Sequence, residues 1–273
     1  MDAERPPPIE SLPGAAKPDP ILVVDHLVRR FGGLTAVSVE RLEIQRGTIT
    51  SLIGPNGAGK TTLFNVLTGF DKPQSGQWEL NGGPLVGIPA YRMARMGMVR
   101  TFQLTKSLAR LTVLENMLVA ARARAGESFR GALFGGWRRS EEENRARAME
   151  SLGRFGLTHM ADQYAGSLSG GQRKLLEMAR ALMVDPELVM LDEPTAGVNP
   201  ALTQSLLGHI TMLRDMGMTV VFIEHDMDVV QEISDWVVCM SQGRVIAEGP
   251  PSSIARNPEV IDAYLGQSHG EIT

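Results

Sequence analysis

The chain has 273 residues, of which 43% are hydrophobic and 21% charged, with a formal net charge of −4. This is globular composition, long enough for one large domain or a core domain with a smaller companion, and it excludes a chain too polar to collapse. No stretch approaches the roughly 20 uncharged apolar residues of a bilayer-spanning helix, and the negative balance repels phosphate backbones, so nucleic acid is not an expected partner.

Residues 1–20 hold six prolines and no continuous apolar run, and they read as a disordered, Pro-rich tail rather than a secretory signal, with the fold starting near Ile21. Three short strands follow, over 21–27, 36–44 and 48–53, broken by Gly32-Gly33 and Gly47, which predicts a small β layer. A glycine-rich stretch at 54–59 leads into a helix over 61–67, and residues 77–80 and 97–102 are further strands. Between 106 and 180 the pattern turns helical, with Val113, Leu114, Met117, Leu118 and Ala121 on one helix face. Within it, residues 122–154 carry eight Arg, five Glu and no Lys. That block reads either as a solvated helix face with a loop or as a docking surface for anionic headgroups or a partner helix. Strand and helix then alternate: strands over 188–192, 219–223 and 236–240, helices over 201–216 and 226–233. The expected fold is α/β, with a mainly parallel sheet, helices on both faces, and the small β layer. Its division is a core over 21–105 and 181–250, a helical subdomain over 106–180, and a helical extension and tail over 251–273. The one cysteine, Cys239, falls in the last strand; without a second it can form neither an internal disulfide nor a thiolate metal cluster, which fits a reducing cytoplasm.

Gly54-Pro55-Asn56-Gly57-Ala58-Gly59-Lys60-Thr61 satisfies Gly-x4-Gly-Lys-Ser/Thr, and it lies after a strand and before a helix, where the motif works. Its glycines let backbone N–H groups converge on phosphate oxygens, the helix N-terminus adds partial positive charge, and Lys60 adds a full one. Thr61 offers a hydroxyl to Mg²⁺, and Thr62 extends the phosphate-facing turn. A phosphate-bound Mg²⁺ keeps waters and needs one or two carboxylates, which points to the strand ending in Asp192-Glu193. Asp192 is placed to hold the ion, and Glu193 to orient the attacking water.

Leu168-Ser169-Gly170-Gly171-Gln172, heading a helix ahead of the Asp192-Glu193 strand, resembles the signature of ATP-binding-cassette (ABC) ATPases. Ser169 can cap that helix, and Gly170 and Gly171 permit close backbone approach to an anion. The resemblance implies a P-loop nucleoside triphosphatase (NTPase) fold of the ABC type. It also implies a head-to-tail dimer in which two ATP molecules lie between the phosphate loop of one subunit and the Ser169 segment of the other, Gln172 included. Three more positions match the family: Phe31 as the aromatic stacked on adenine, Gln103 as the glutamine touching Mg²⁺ and water, and His225 as the switch histidine at the γ-phosphate. Asn199 departs from the family, which mostly has Asp there.

Finer features resemble the ATPase subunits of branched-chain amino acid importers. They are Phe31 to Val37, Arg100-Thr101-Phe102-Gln103, Glu224-His225-Asp226-Met227, and the ending from Asn257 to Gly266. That resemblance implies ATP and Mg²⁺ as cofactors and a second, identical or paralogous ATPase subunit. It implies transmembrane permease partners, an extracytoplasmic substrate-binding protein, and a place at the cytoplasmic face of the membrane. Urea and short-amide importers and lipopolysaccharide-export ATPases share these features in part. The rival class is a soluble cassette that grips nucleic acid, against which stand the single uninterrupted motif set and the acidic balance.

Overall fold

In a computed structural model that describes residues 11–101, 106–125 and 136–265, two sheets share the core. The first is antiparallel, with strand order β2-β1-β4-β5: β1 is Pro20–Phe31, β2 Leu34–Gln45, β4 Ser75–Leu80 and β5 Gly83–Pro84. The second has the order β10-β9-β3-β8-β7-β6: β3 is Ile49–Ile53, β6 Met98–Arg100, β7 Leu188–Asp192, β8 Thr219–Ile223, β9 Trp236–Ser241 and β10 Arg244–Gly249. Its inner pairings are parallel and only the β10 edge is antiparallel.

The apolar runs of β7, β8 and β9, and the full burial of β3, follow from their position. Successive side chains point to opposite faces, and both faces of this sheet are covered. Val189, Leu191, Val220, Phe222, Val237 and Cys239 face one core, while Leu188, Met190, Val221, Ile223, Val238 and Met240 face the other. The second core is filled by the antiparallel sheet and by α1 (Lys60–Leu67), which buries Leu63, Phe64, Val66 and Leu67. The short helix α2 (Ala90–Arg95) adds Met93 to it.

The first core is closed by helices. α3 (Lys106–Ala109), α4 (Val113–Ala125), α5 (Gly136–Arg154) and α6 (Gly170–Leu182) form a unit between β6 and β7. Val113, Leu114, Met117 and Ala121 are buried as the periodicity requires, and Leu118 packs partly buried against them. Buried Asn116 donates its amide N–H groups to the carbonyls of Leu108 and Thr112, each at 2.9 Å. α7 (Pro200–Asp215) and α8 (Met227–Ile233) cover the rest of that face, and α9 (Pro251–Ile254) and α10 (Pro258–Leu265) are the last elements of the described residues. No helix of the described residues is long and apolar enough to cross a membrane.

One expectation is corrected. Residues 11–20 are not a loose tail: Lys17 is buried, its ammonium 2.8 Å from the Glu248 carboxylate on β10, and Glu248 also accepts from the Ala15 N–H. An isolated buried carboxylate is costly in an apolar core, so Glu248 recruits the N-terminal segment to pair it. Strand β1 accordingly begins at Pro20.

Candidate functional site

The phosphate loop leaves β3 at the carboxyl edge of the parallel sheet, where open α/β folds bind ligands. Two of its glycines are forced. Gly54 has φ +142°, and a Cβ there would lie 2.1 Å from the Met240 carbonyl oxygen; Gly59 has φ +99°, and a Cβ would lie 2.3 Å from that of Ala36. Pro55 and Ala58 are buried under the loop, whereas Asn56 and Gly57 are exposed on its crest. Gly59 is the N-cap of α1; no side chain caps the helix and its first turn carries no acid. The first-turn N–H groups of Lys60, Thr61 and Thr62 thus face an end whose partial positive charge the protein itself leaves uncompensated.

Lys60 folds back on the loop, its ammonium 2.5 Å from the Gly54 carbonyl and 3.0 Å from that of Pro55. Burial lowers its pKa, opposed by the fields of Glu193, Cys239 and Asp192. Beneath it the buried Cys239 thiol is pushed up to about 12 by desolvation.

Asp192 ends β7 and Glu193 follows it, at φ +45°, a left-handed conformation that non-glycine residues seldom adopt. The Glu193 N–H donates to Ile223 on β8, and Lys174 of α6 donates to the Glu193 carbonyl at 3.2 Å. Asp192 is gripped from within: Arg100 of β6 donates one guanidinium N–H to its Oδ2 and another to Asn65 of α1, each at 2.5 Å. The arginine side chain is 5% exposed and the carboxylate 27%, so the free part of Asp192 faces solvent. Thr61 is exposed on the adjoining turn. One open carboxylate beside one hydroxyl suits a Mg²⁺ ion that brings its other oxygen ligands with it. No cluster of three or more acidic, His or Cys groups competes for this role among the described residues.

His225 follows β8 with its side chain exposed, and its N–H donates at 3.0 Å to the fully buried Glu224. The other oxygen of Glu224 accepts from the N–H and hydroxyl of Thr195, two residues past Glu193. One buried carboxylate therefore joins the loop after β7 to the loop after β8. Asp226 caps α8, accepting from Asp228 and Val229.

Phe31 is 48% exposed at the end of β1, with the Arg29 guanidinium 4.2 Å from its ring centre. Its hairpin partner Leu34 is two residues from Ala36, whose carbonyl abuts Gly59, so this end of the antiparallel sheet adjoins the phosphate loop.

Ser169 heads α6 with a complete capping box: its hydroxyl accepts from the Gln172 N–H, and the Gln172 amide oxygen accepts from the Ser169 N–H. Gly170 is exposed, and Gly171 is buried against Leu202 of α7. Asn199 caps α7 through Leu202. The structure brings the phosphate loop, Asp192, Glu193 and His225 to one sheet edge. Ser169 stands apart on the helical unit, held to the Glu193 loop through Lys174. Gln103 lies outside the described residues, as do Phe102, residues 126–135 of the Arg-rich block and residues 266–273 of the tail.

Two contacts escape a motif-based reading. Arg100 and Tyr264, whose phenol accepts the Gly54 N–H at 2.9 Å, each stand in a family-like string, which says nothing of the partner either one meets.

A strand, an anion-ready loop, an uncapped helix and a carboxylate pair at a parallel sheet edge define a P-loop nucleoside triphosphatase. Residues 38–196 match the ABC transporter family model, and residues 244–270 a model described as branched-chain amino acid ATP-binding cassette transporter. The high-affinity branched-chain amino acid transport ATP-binding protein BraF of Pseudomonas aeruginosa is 45% identical over 252 residues, covering 91% of this chain and 99% of the relative. The corresponding protein LivG of Escherichia coli is 45% identical over 256 residues with the same coverage. A solved ATP-binding cassette of an ABC transporter in its ADP conformation superposes with a TM-score of 0.81 at 35% identity, covering 90% of this chain and 99% of that one. The chain belongs to the ABC transporter family, within the group of transport ATP-binding proteins that these relatives represent.

Proposed function

We propose that this chain hydrolyses ATP, as one of a pair of cassettes, to drive permease subunits that import branched-chain amino acids. The cargo reading rests on the relatives, BraF and LivG, and on the match at residues 244–270. The hydrolytic reading rests on a single observation: α1 presents an uncapped, acid-free N-terminus next to Lys60, across from Asp192 and Glu193 at the same sheet edge.

In this reading the N–H groups of Gly57 to Thr62 receive the phosphate oxygens, and Lys60 exchanges its two loop carbonyls for them. Thr61 and Asp192 would hold Mg²⁺, with Gln103 as a further ligand, and the chemistry supplied there would be neutralisation of charge developing on the phosphates. Glu193 orients and polarises the water, and His225 faces the γ-phosphate with Gln103. Phe31 stacks on the adenine. Ser169, with Gly170, Gly171 and Gln172, serves the nucleotide of the other subunit, since its hydroxyl accepts within the capping box and keeps its own proton to donate. Closure of the pair is then favoured by bound ATP, and loss of the γ-phosphate contacts reopens it. Assembly with permeases and an extracytoplasmic binding protein places the subunit on the cytoplasmic face of the membrane, with no nucleic acid involved.

Replacing Glu193 by Gln tests this. ATP binding persists, turnover falls by about 10²- to 10⁴-fold, the usual worth of a positioned base, and an ATP-dependent dimer accumulates in size-exclusion chromatography. Near-normal turnover in E193Q removes Glu193 from the role. Affinity capture from detergent-solubilised membranes recovers multi-span permeases; recovery of RNA or DNA in their place would favour the soluble rival.

A further inference from the structure

Gly54 is the residue at which the sheet hands over to the phosphate loop. The ladder of β3 is in register with β8 and β9 only as far as Ile53, so the Gly54 N–H lies beyond the last paired residue. Its acceptor is the Tyr264 hydroxyl oxygen, 2.9 Å away, supplied by α10 from 210 positions further along the chain. The Gly54 carbonyl takes the Lys60 ammonium at 2.5 Å, and the Met240 carbonyl crowds its α-carbon. α10 is anchored by buried Val260, and Tyr264 packs beside it against the core. Burial raises the phenol to about 12, so it stays protonated at neutral pH.

We propose that Tyr264 is a positioning residue for nucleotide binding: it fixes the Gly54 peptide while Lys60 moves from the loop carbonyls to the triphosphate. The inference rests on the triphosphate reading of the loop. Binding strips the Gly54 and Pro55 carbonyls of their ammonium donor, and a backbone held by that donor alone would relax at the moment the phosphates need it in place. The Tyr264 bond lies on the other side of Gly54 and does not involve Lys60. Nucleotide affinity is thereby made to depend on the docking of the C-terminal helix.

The test uses the full chain and Tyr264→Phe, which keeps the ring and removes the acceptor. Amide hydrogen exchange is followed without nucleotide, and the ATP Kd is measured by equilibrium dialysis with Mg²⁺. Expected are faster exchange confined to the Gly54–Lys60 peptide and an ATP Kd raised about five- to tenfold, the scale for stranding one buried donor. Exchange and Kd equal to the parent chain overturn the proposal. So does a general loss of protection with an unchanged Kd, which marks Tyr264 as packing only. Failure of the triphosphate reading looks different: the parent chain itself then shows no saturable ATP binding, while the exchange arm still decides on Tyr264.

Discussion

Glu193 shows what a single residue gives up at this site. In the left-handed region a side chain with a Cβ costs about 1–2 kcal/mol relative to the right-handed helix, and the bond to Ile223 and the donation from Lys174 hold it there. The groups beneath the phosphate loop are perturbed as well, with a measurable consequence. Cys239 and Tyr264 both stand near 12 in the folded chain, against 9.0 and 10.0 when exposed. From pH 9.0 upward the unfolded chain therefore releases protons that the native chain keeps, and stability falls as pH rises. Lys60, lowered by burial, acts the other way, because below 10.5 its unfolded form is the one that holds the extra proton. Urea midpoints near pH 8 and pH 10.5 will separate these effects: Cys239→Ala loses less stability between the two than the parent chain. An equal loss in both chains would show that the thiol contributes nothing to the alkaline decline.

Among the elements, α6 starts on a side chain that caps the helix and that the proposed function also assigns to the other subunit's nucleotide. Its capping box satisfies two otherwise orphaned N–H groups, so Ser169→Ala lowers the unfolding free energy by about 1 kcal/mol. Ser169→Asn retains a cap but not the hydroxyl. If the hydroxyl serves the other subunit's nucleotide, both variants lose cooperative hydrolysis, yet only Ser169→Ala melts earlier; equal turnover in all three chains would leave Ser169 as a cap alone. Elements with a strong local signal were legible in sequence: β7, β8 and β9 by their apolar runs, α1 behind its glycines, α4 by its periodic face. β3 was read into the small β layer, but it pairs with β8 and β9 in the parallel sheet, and its Thr50 and Ser51 blur the apolar pattern. Those missed lack a local signal. α2 is too short at six residues to show a period. β5 spans two residues, and β10 starts on a turn with Arg244 exposed, its strand character supplied by β9 rather than by alternation. The glycine loop and the carboxylate pair were legible because their chemistry needs particular residues at fixed spacing. The Arg100 and Tyr264 contacts were not, since each joins positions distant in sequence.

Over the whole molecule the same limit explains the misread N-terminal segment. Six prolines mark residues 1–20 as extended, but nothing local says that Lys17 meets Glu248, 231 positions away, or that its ammonium sits 4.2 Å from the centre of the Trp236 ring. Trp236 also donates its indole N–H to Glu248 at 2.8 Å, so β9, β10 and the N-terminal segment converge on one carboxylate. Lys17→Ala leaves that charge buried without its cation and destabilises the fold by about 3–5 kcal/mol, read as an earlier urea transition. Lys17→Met, which replaces the stem but not the charge, recovers little. A transition unmoved in Lys17→Ala would mean that the segment merely rests on the core. The chain's sole thiol, Cys239, is sequestered between the central sheet and the helices and held in its protonated form. A cysteine engineered onto the surface would therefore be the one site a maleimide dye or nitroxide finds. Paired labels could then follow the approach of two cassettes in the native background, with no residue first removed to silence it.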